Sequence, residues 1–501
     1  MTASSNMNTA FQEFLKANPE FESTTVSNDL RRTDYGRLDR LGQVFLDYTG
    51  GGLYADSQIK QISDLLEDGI FGNPHSDSPA SSSTTALVEE TRELLLRFFN
   101  APPGEYVTIF TPNATDAIKL VGEAYPFQPG DCYLPTFDNH NSINEVREFA
   151  RAEGADVTYV PVVLPDLRLD EAQLKAELDR PSKGGHNLFS YPSQSNFSGA
   201  QHSLEWTTYA QGRVWDVLLD CADFAPSNRL DLVERLPDFV PLSFYRMFGY
   251  PTEVGCLLAR KSALAKLVRP WFSDGTITIA SVQAEKHYLA EGEQAFEEGT
   301  LNYLNISAVG IGLKHMESIG IETIYDRVTL LTSWLMENLL ALKHSNGAPV
   351  IRVYGPTIMD ARGGTLTINF YDPKDTLIDH RCIDHLAGRA GISLRTGCFC
   401  NPGAGELAHG LTEADMAAAF ENGERMTFEQ FLSVWKTATE RALARSVYPW
   451  AWRPTLTTST NSGSSPEALS TKQPERFNPF SGVSKHYLPE DLRRCPFQEL
   501  R

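Results

Sequence analysis

The sequence predicts an α/β fold in which a large, mostly parallel sheet precedes a smaller α+β domain. Through the first two thirds of the chain, short apolar runs alternate with stretches of helical periodicity, which is typical of parallel strands with helices on both faces. From about Thr323 a long helical pattern leads into a region with two strand patterns and further helices. We therefore expect an N-terminal arm at 1–35, a large domain at 36–322, a linking helix and small domain at 323–450, and a flexible tail at 451–501.

Several apolar stretches are predicted as strands of the large domain. They are EYVTIFTPN, DCYLPTF, ADVTYVPVV, HNLFSYPSQ and VWDVLLDCA. Directly after the first of them, ATDAIKLVGEAYPF predicts an amphipathic helix. The loops that follow these strands hold most of the candidate functional residues.

Composition excludes several classes of function. Hydrophobic residues make up 41% of the chain and charged residues 22%, as in ordinary soluble proteins. A net charge of −20 argues against binding to a phosphate backbone, which depends on Lys and Arg. No apolar run is long enough for a membrane span, and the N-terminus does not resemble a signal peptide. The seven cysteines are odd in number and scattered, apart from Cys398 and Cys400, which favours a reduced, cytoplasmic protein over a secreted one.

Two loops carry residues that would be weak signals if taken alone. TPNATDAIK places Asn113, Ala114 and Thr115 at a strand-to-helix junction, where free backbone N–H groups favour an anion. Asn and Thr are also common helix caps, and for this loop in isolation capping is the preferred interpretation. His140 ends another strand, and a single histidine is more often structural than functional.

A sharper signal comes from the strand run VLLDCADFAPSN, which ends in Asp220. An ionised carboxylate at the end of a buried strand is costly unless a cation pairs with it. That cation is either the protonated ring nitrogen of a cofactor or an arginine or lysine of the core. The next motif, SFYRMFG, supplies the hydroxyl group of Ser243 and the basic side chain of Arg246.

The Gly-rich stretch SLRTGCFCNPGAGE contains Arg395, Cys398 and Cys400. The spacing of the two cysteines fits half of a metal site, but the chain has no second Cys/His pair at a suitable spacing, so we expect no metal. An exposed position next to a positive charge makes a thiol more reactive. For Cys400 this interpretation and that of an ordinary surface cysteine carry about equal weight.

Together these stretches resemble class V aminotransferases, and most closely the N-terminal, cysteine-desulfurase-like domain of molybdenum cofactor sulfurases. The matching stretches run in order from Leu46 to Ala404. They are FLDYTGGGLY, GNPHS, DNHNS, YPSQSNFSG, VLLDCADF, SFYRMFGYPT, EEGTLNYLNI, ALKHSNGAPV and RTGCFCNPGA. The resemblance implies a fold-type I architecture that binds pyridoxal 5′-phosphate (PLP) and a homodimer with active sites at the subunit interface. Full-length eukaryotic sulfurases also carry a C-terminal molybdenum-binding domain, which we expect to be absent here.

The resemblance also assigns roles to the cofactor-binding positions. It implies that Ala114, Thr115 and Ser243 hold the phosphate and that His140 stacks on the pyridine ring. It further implies that Asp220 pairs with the ring nitrogen and keeps it protonated, which makes the ring an electron sink.

The remaining roles concern the substrate and the second subunit. By resemblance, Asn196 and Arg395 grip the carboxylate of an amino acid such as cysteine. Cys400 matches the nucleophile that takes up sulfur as a persulfide. Thr300 reaches the phosphate bound by the other subunit.

Three positions depart from the family pattern: Arg246 replaces the Schiff-base lysine, Glu253 a glycine and Gly405 a cysteine. A guanidinium cannot release its proton and attack an aldehyde. Neither Lys119, within a helix, nor Lys261, one strand further on, is placed to substitute. We therefore expect non-covalent PLP, with Arg246 filling the pocket and pairing with Glu253.

These observations predict a molybdenum-cofactor-sulfurase-like protein of the sulfur-transfer type whose lysine chemistry is altered. One alternative is a PLP-fold enzyme with a changed reaction in specialised metabolism. The other is a non-catalytic partner subunit. Retention of Cys400, Arg395, His140 and Asp220 favours surviving chemistry, because a pure scaffold does not need this set.

Overall fold

A computed structural model of the protein describes residues 3–74, 76–182, 185–269 and 271–420. The predicted tail at 451–501 and the last part of the predicted small domain lie outside these residues.

The helices follow the predicted alternation with strands. They are α1 (Ala3–Ala17), α2 (Val26–Thr33), α3 (Arg37–Leu41), α4 (Asp56–Asp68), α5 (Pro79–Phe98), α6 (Ala114–Ala124), α7 (Asn141–Asn144), α8 (Val146–Ala152), α9 (Glu171–Leu178), α10 (Glu205–Gln211), α11 (Phe244–Phe248), α12 (Lys261–Leu264), α13 (Tyr303–Ile319), α14 (Ile321–Leu340), α15 (His380–Arg389), α16 (Pro402–Ala408) and α17 (Glu413–Phe420). Within the described ranges, none of them has both the length and the apolar character that crossing a bilayer requires.

The strands are mostly short outside the central sheet. They are β1 (Val44–Phe45), β2 (Tyr106–Thr111), β3 (Cys132–Pro135), β4 (Asp156–Val157), β5 (Val162–Val163), β6 (Arg168–Leu169), β7 (Asn187–Pro192), β8 (Trp215–Asp220), β9 (Phe239–Ser243), β10 (Gly255–Arg260), β11 (Ile277–Ser281), β12 (Lys286–Leu289), β13 (Ile351–Tyr354), β14 (Thr367–Phe370) and β15 (Ile392–Ser393). Each stretch predicted as a strand of the large domain contains at least one strand, and ADVTYVPVV contains both β4 and β5.

The central sheet has seven strands in the order β2-β10-β9-β8-β7-β3-β4. β10 runs antiparallel to both neighbours, and the other pairings are parallel. Every residue of β7 and β8 is buried, as expected for parallel strands covered on both faces. Consecutive residues alternate between two apolar clusters, with Leu188 in one and Phe189 in the other. The predicted α/β class is confirmed.

The parallel strands all end at the same edge of this sheet, which is where ligands bind in open α/β folds. Chain segments therefore leave this edge after β2, β3, β7, β8 and β9. Those after β2, β3 and β7 lead to Ala114, His140 and Asn196, whereas Asp220 and Ser243 are the last residues of β8 and β9. The sheet thus brings to one edge residues that are up to 129 positions apart in the chain.

The second region begins with α14, which starts two residues before the expected Thr323. β13 and β14 pair antiparallel, in agreement with the two strand patterns predicted there. β1 pairs in parallel with β15, so the segment after the N-terminal arm reaches the small region instead of remaining within the large domain. The arm itself packs on α14, where Phe14 contacts Trp334 and Arg327 donates to the carbonyl of Thr24.

Candidate active site

The N-terminus of α6 joins the end of β9. The backbone N–H of Ala114 donates to Ser243 Oγ at 2.9 Å, so two residues predicted to hold an anion lie together. Asn113 Oδ1 accepts from the backbone N–H of Asp116 at 3.0 Å. The capping interpretation of this loop is therefore correct for Asn113, while Ala114 and Ser243 border the free end of the helix.

His140 begins α7 as its N-cap. Its Nδ1 accepts from the backbone N–H of Ser142 at 3.2 Å and lies 3.0 Å from Ser142 Oγ. That hydroxyl group is 2.7 Å from Thr115 Oγ1, which links α7 to the start of α6. Burial, assisted by the positive charge of Arg246, lowers the pKa of His140 to about 4. The imidazole is therefore neutral at pH 7, and because Nδ1 is an acceptor, its hydrogen is on Nε2.

Asp220 ends β8 as a buried carboxylate. Its Oδ1 accepts from the backbone N–H of Ala222 at 3.0 Å. Burial raises the pKa of Asp220, although the charge of Arg246 partly opposes this. In the ranges that the structure describes, no Lys, Arg or His nitrogen forms an ion pair with this carboxylate. A ligand with a protonated nitrogen would fill that need.

Arg246 lies on α11 and is paired with Asp223. Its Nη1 donates to Asp223 Oδ1 at 2.6 Å and to the carbonyl of Thr49 at 3.1 Å. The two side chains are only 13% and 14% exposed. Burial by itself would lower the pKa of Arg246, but the charge of Asp223, together with Tyr245 and Asp220, outweighs it and raises that pKa overall. Arg246 is thus a permanent cation, and Asp223 is its counter-ion.

Pairing of Arg246 with Glu253, as expected from their proximity in sequence, is wrong. Glu253 is exposed in the turn before β10, whereas Asp223 follows β8 and its side chain is only 14% exposed. Glu253 also has a φ of 58°. Glycine adopts this conformation readily, which accounts for the glycine that the resemblance predicts at this position. Sequence analysis missed Asp223, although its position three residues after Asp220 was a usable signal.

The glycines of FLDYTGGGLY allow that segment to pack closely on α11. The N–H of Gly52 donates to the carbonyl of Tyr245 at 2.9 Å. On the other side, a Cβ at Gly249 would lie 2.3 Å from the backbone nitrogen of Tyr54. The segment thereby brings the carbonyl of Thr49 to Arg246.

Arg395 lies at the rim of the site and forms two hydrogen bonds with Asp47. The distances are 2.8 Å from Nε to Oδ1 and 3.0 Å from Nη2 to Oδ2. Asp47 raises the pKa of Arg395, so the guanidinium is charged but already paired. The predicted carboxylate-binding residue therefore holds a carboxylate of its own chain.

The loop with Cys400 is docked on the edge of the sheet. Asn196 Nδ2 donates to the carbonyl of Phe399 at 2.6 Å, and the N–H of Asn141 donates to the carbonyl of Cys400 at 2.7 Å. Phe399 and Cys400 have φ values of 55° and 57°, so the main chain turns sharply here. Both Cys398 and Cys400 are exposed. The structure thus brings Cys400 next to the segment that carries His140.

Asn401 fixes this loop and was missed by sequence analysis. Its side chain is fully buried. Nδ2 donates to the carbonyl of Asp138 at 2.6 Å and to Asn196 Oδ1 at 2.9 Å, and Oδ1 accepts from the N–H of Ala404 at 3.2 Å. Its place as N-cap before Pro402 was the available signal.

Thr300 contacts a different motif of the chain, GNPHS. It is exposed, and its Oγ1 accepts from Asn73 Nδ2 at 3.4 Å, which joins the EEGT and GNPHS motifs. Glu297, at the start of EEGT, forms a buried bidentate pair with Arg92 at 2.7 and 2.8 Å. This pair anchors the loop of Thr300 to α5.

Comparison with known proteins agrees with this architecture. The profile of the family described as aminotransferase class-V matches residues 44–413. The chain is 35% identical over 429 residues to a molybdenum cofactor sulfurase from Solanum lycopersicum, covering 79% of this chain and 52% of that protein. It is 34% identical over 419 residues to the one from Homo sapiens, covering 79% and 46%. The chain thus spans about half the length of these relatives.

Solved structures share the fold. A cysteine desulfurase from Thermococcus onnurineus NA1 superposes with a TM-score of 0.67 at 21% identity, covering 83% of this chain and 98% of that one. The cysteine desulfurase CsdA from Escherichia coli gives a TM-score of 0.63 at 18% identity, with coverages of 83% and 98%. The sheet order, the residues at its edge and the family profile lead to one conclusion: the chain belongs to the class V aminotransferase family.

Proposed function

We propose that this chain is a molybdenum-cofactor-sulfurase-like protein that binds PLP and takes sulfur from an amino acid such as cysteine onto Cys400. The single observation that carries the proposal is the docked loop of Cys400. Its backbone is held by Asn196 and Asn141, which keeps an exposed thiol at the edge of the sheet where Asp220 ends β8 and His140 begins α7.

The residues at this edge fit PLP. Ala114, Thr115 and Ser243 surround the N-terminus of α6, a favourable place for a phosphate. The neutral ring of His140 can stack on a pyridine. The buried carboxylate of Asp220, which has no ion-pair partner among the described residues, suits a protonated ring nitrogen. When bound, PLP supplies an electron sink that stabilises negative charge on the α-carbon of an amino acid.

Arg246 determines how the cofactor is held. Its raised pKa and its bond to Asp223 keep the guanidinium protonated, so it forms no covalent bond to PLP and removes no proton from the substrate. Lys119 pairs with Glu123, and Lys261 donates to the carbonyl of Pro103. Binding of PLP is therefore non-covalent in this proposal.

The transfer of sulfur from cysteine onto Cys400 balances in atoms and bonds. Cysteine and the Cys400 thiol give alanine and the Cys400 persulfide, with the carbon–sulfur bond of cysteine broken and a sulfur–sulfur bond formed. Without a lysine to move the α-proton, we expect this reaction to be slow.

The proposal includes a homodimer in the cytoplasm. Thr300 is exposed, and in a homodimer it would reach the phosphate bound by the partner subunit.

A second candidate is a PLP-dependent enzyme whose reaction has changed. The Arg246–Asp223 pair favours it, because a buried cation comes with its own counter-ion as a complete substitution for lysine. Such an enzyme would leave Cys400 unmodified in the presence of cysteine.

Borohydride trapping of the PLP-loaded protein tests the proposal. We expect no phosphopyridoxyl-lysine peptide from the unchanged protein and a clear one from Arg246→Lys. Asp223 is 2.6 Å from Arg246 and would hold the new ammonium in its charged form, so adding Asp223→Asn should increase both the adduct and the release of alanine from cysteine. A lysine adduct in the unchanged active site, or rapid alanine release by it, would contradict the assigned role of Arg246.

Differential alkylation measures the access of Cys400. Cys221 and Cys256 are fully buried, and burial raises their thiol pKa values. We expect Cys400 to be labelled at least about tenfold faster than either. After incubation with cysteine and PLP, mass spectrometry should find an added sulfur on Cys400. Added sulfur on Cys398 alone would exclude Cys400 as the acceptor.

A further inference from the structure

The guanidinium group of Arg395 already binds a carboxylate, that of Asp47. Asp47 takes its Nε and Nη2 in a planar, bidentate arrangement, which is the geometry that the carboxylate of an amino acid would use. The pair is partly exposed, with 48% of the Arg395 side chain and 21% of the Asp47 side chain accessible. Exposed ion pairs are weak and exchange with solutes.

The pairing is built into the backbone. β1 and β15 align Phe45 with Ser393, and continuing that register by two residues places Asp47 opposite Arg395. Gly50 makes room for the contact, because a Cβ there would lie 2.1 Å from Arg395 Nη2. Two separate features thus hold the carboxylate of Asp47 on the fork.

We infer that Asp47 is an internal competitor for the substrate carboxylate and sets the selectivity of Arg395 for amino acids. The inference rests on the proposed function, in which Arg395 receives the carboxylate of cysteine. A ligand with a carboxylate must displace Asp47, whereas a ligand without one gains nothing from its removal. Asp47 lies two residues before Thr49, whose carbonyl accepts from Arg246, so one segment contacts both arginines.

Calorimetric titration of the full chain tests this inference. The chain is saturated with pyridoxamine 5′-phosphate, which does not condense with an amine, and is titrated with L-cysteine or with cysteamine, its analogue without a carboxylate. We expect Asp47→Asn to bind L-cysteine about three- to tenfold more tightly than the unchanged chain, because one weak ion pair no longer competes. Its affinity for cysteamine should change by less than about twofold.

Matched variants separate competition from folding. Asp47→Glu retains the carboxylate and should keep L-cysteine affinity near that of the unchanged chain. Asp375→Asn removes a similar Arg–Asp pair, with Arg352 at 2.5 Å elsewhere in the small region, and should leave both affinities unchanged.

The outcomes distinguish the inference from the function on which it rests. If Arg395→Ala abolishes L-cysteine binding but Asp47→Asn does not strengthen it, Asp47 is no competitor and the inference is overturned, while the proposed function stands. Equal strengthening for cysteamine would also overturn it, since the effect would not involve a carboxylate. If Arg395→Ala binds L-cysteine normally, or no variant binds it, the proposed amino-acid site is wrong and the inference falls with it.

Discussion

Two arginine–aspartate pairs border the candidate active site, and burial distinguishes them. The first pair, Arg246 and Asp223, forms what we call the floor of the site, and its side chains are 13% and 14% exposed. At the rim, those of Arg395 and Asp47 are 48% and 21% exposed. The rim pair has two hydrogen bonds between its side chains and the floor pair only one, yet burial makes the floor pair the harder one to separate.

The difference follows from the cost of removing a charge from water. A buried ion that loses its partner keeps its desolvation penalty without compensation. A partly exposed ion recovers hydration when its partner leaves. The floor is therefore fixed, and the rim can exchange its carboxylate for that of a ligand.

Removal of Asp223 should have the largest effect. Asp223→Asn leaves the Arg246 cation with an amide in place of its counter-ion, and we expect the free energy of unfolding to fall by about 3 kcal/mol. Urea unfolding of the chain without cofactor measures it. The double variant Arg246→Met with Asp223→Leu should recover most of the loss, because it removes both charges. A loss below about 1 kcal/mol for Asp223→Asn would mean that water compensates Arg246.

For His140 we expect a smaller effect on the free energy of unfolding, and one that depends on pH. Burial and the charge of Arg246 lower its pKa to about 4 in the folded protein, against about 6.5 when unfolded. Between these values the unfolded chain binds a proton that the folded chain does not, so this contribution to stability is present above pH 6.5 and is lost as the pH falls.

The variant His140→Asn tests this, because Asn can also cap α7. Between pH 7 and pH 5.5, its unfolding free energy should fall by about 1 kcal/mol less than that of the unchanged chain. His409, whose pKa burial also lowers to about 4, is present in both proteins and cancels. Equal pH dependence of the two would show that His140 is not buried as a neutral ring.

The floor could be predicted from the sequence more completely than the rim. Asp220 ends an apolar run, and the strand pattern indicates that its carboxylate is buried. Ala114 and Ser243 lie at recognisable strand ends. Because parallel strands end at one edge, local patterns were enough to bring these residues together.

The rim depends on contacts that no local pattern reveals. Asp47 and Arg395 are 348 residues apart, and their register depends on the pairing of two-residue strands. Arg246 pairs with Asp223 and not with Glu253, which is exposed and has a φ of 58°. Which of two nearby carboxylates pairs with an arginine depends on three-dimensional geometry and not on distance along the sequence.

We expect the smallest effect on the free energy of unfolding for the rim pair. The variant Asp47→Asn is the counterpart of Asp223→Asn. Asp47→Asn also removes one carboxylate from an arginine, but Arg395 is half exposed and can hydrate. We expect the free energy of unfolding to change by less than about 1 kcal/mol. The difference from the unchanged chain should shrink further at about 1 M salt, where the Debye length is about 3 Å. The same urea titration used for Asp223→Asn measures it, so the two losses can be compared directly. If the two losses were equal, burial would not distinguish the pairs, and Asp47 would be a structural residue of the β1–β15 contact instead of an exchangeable one.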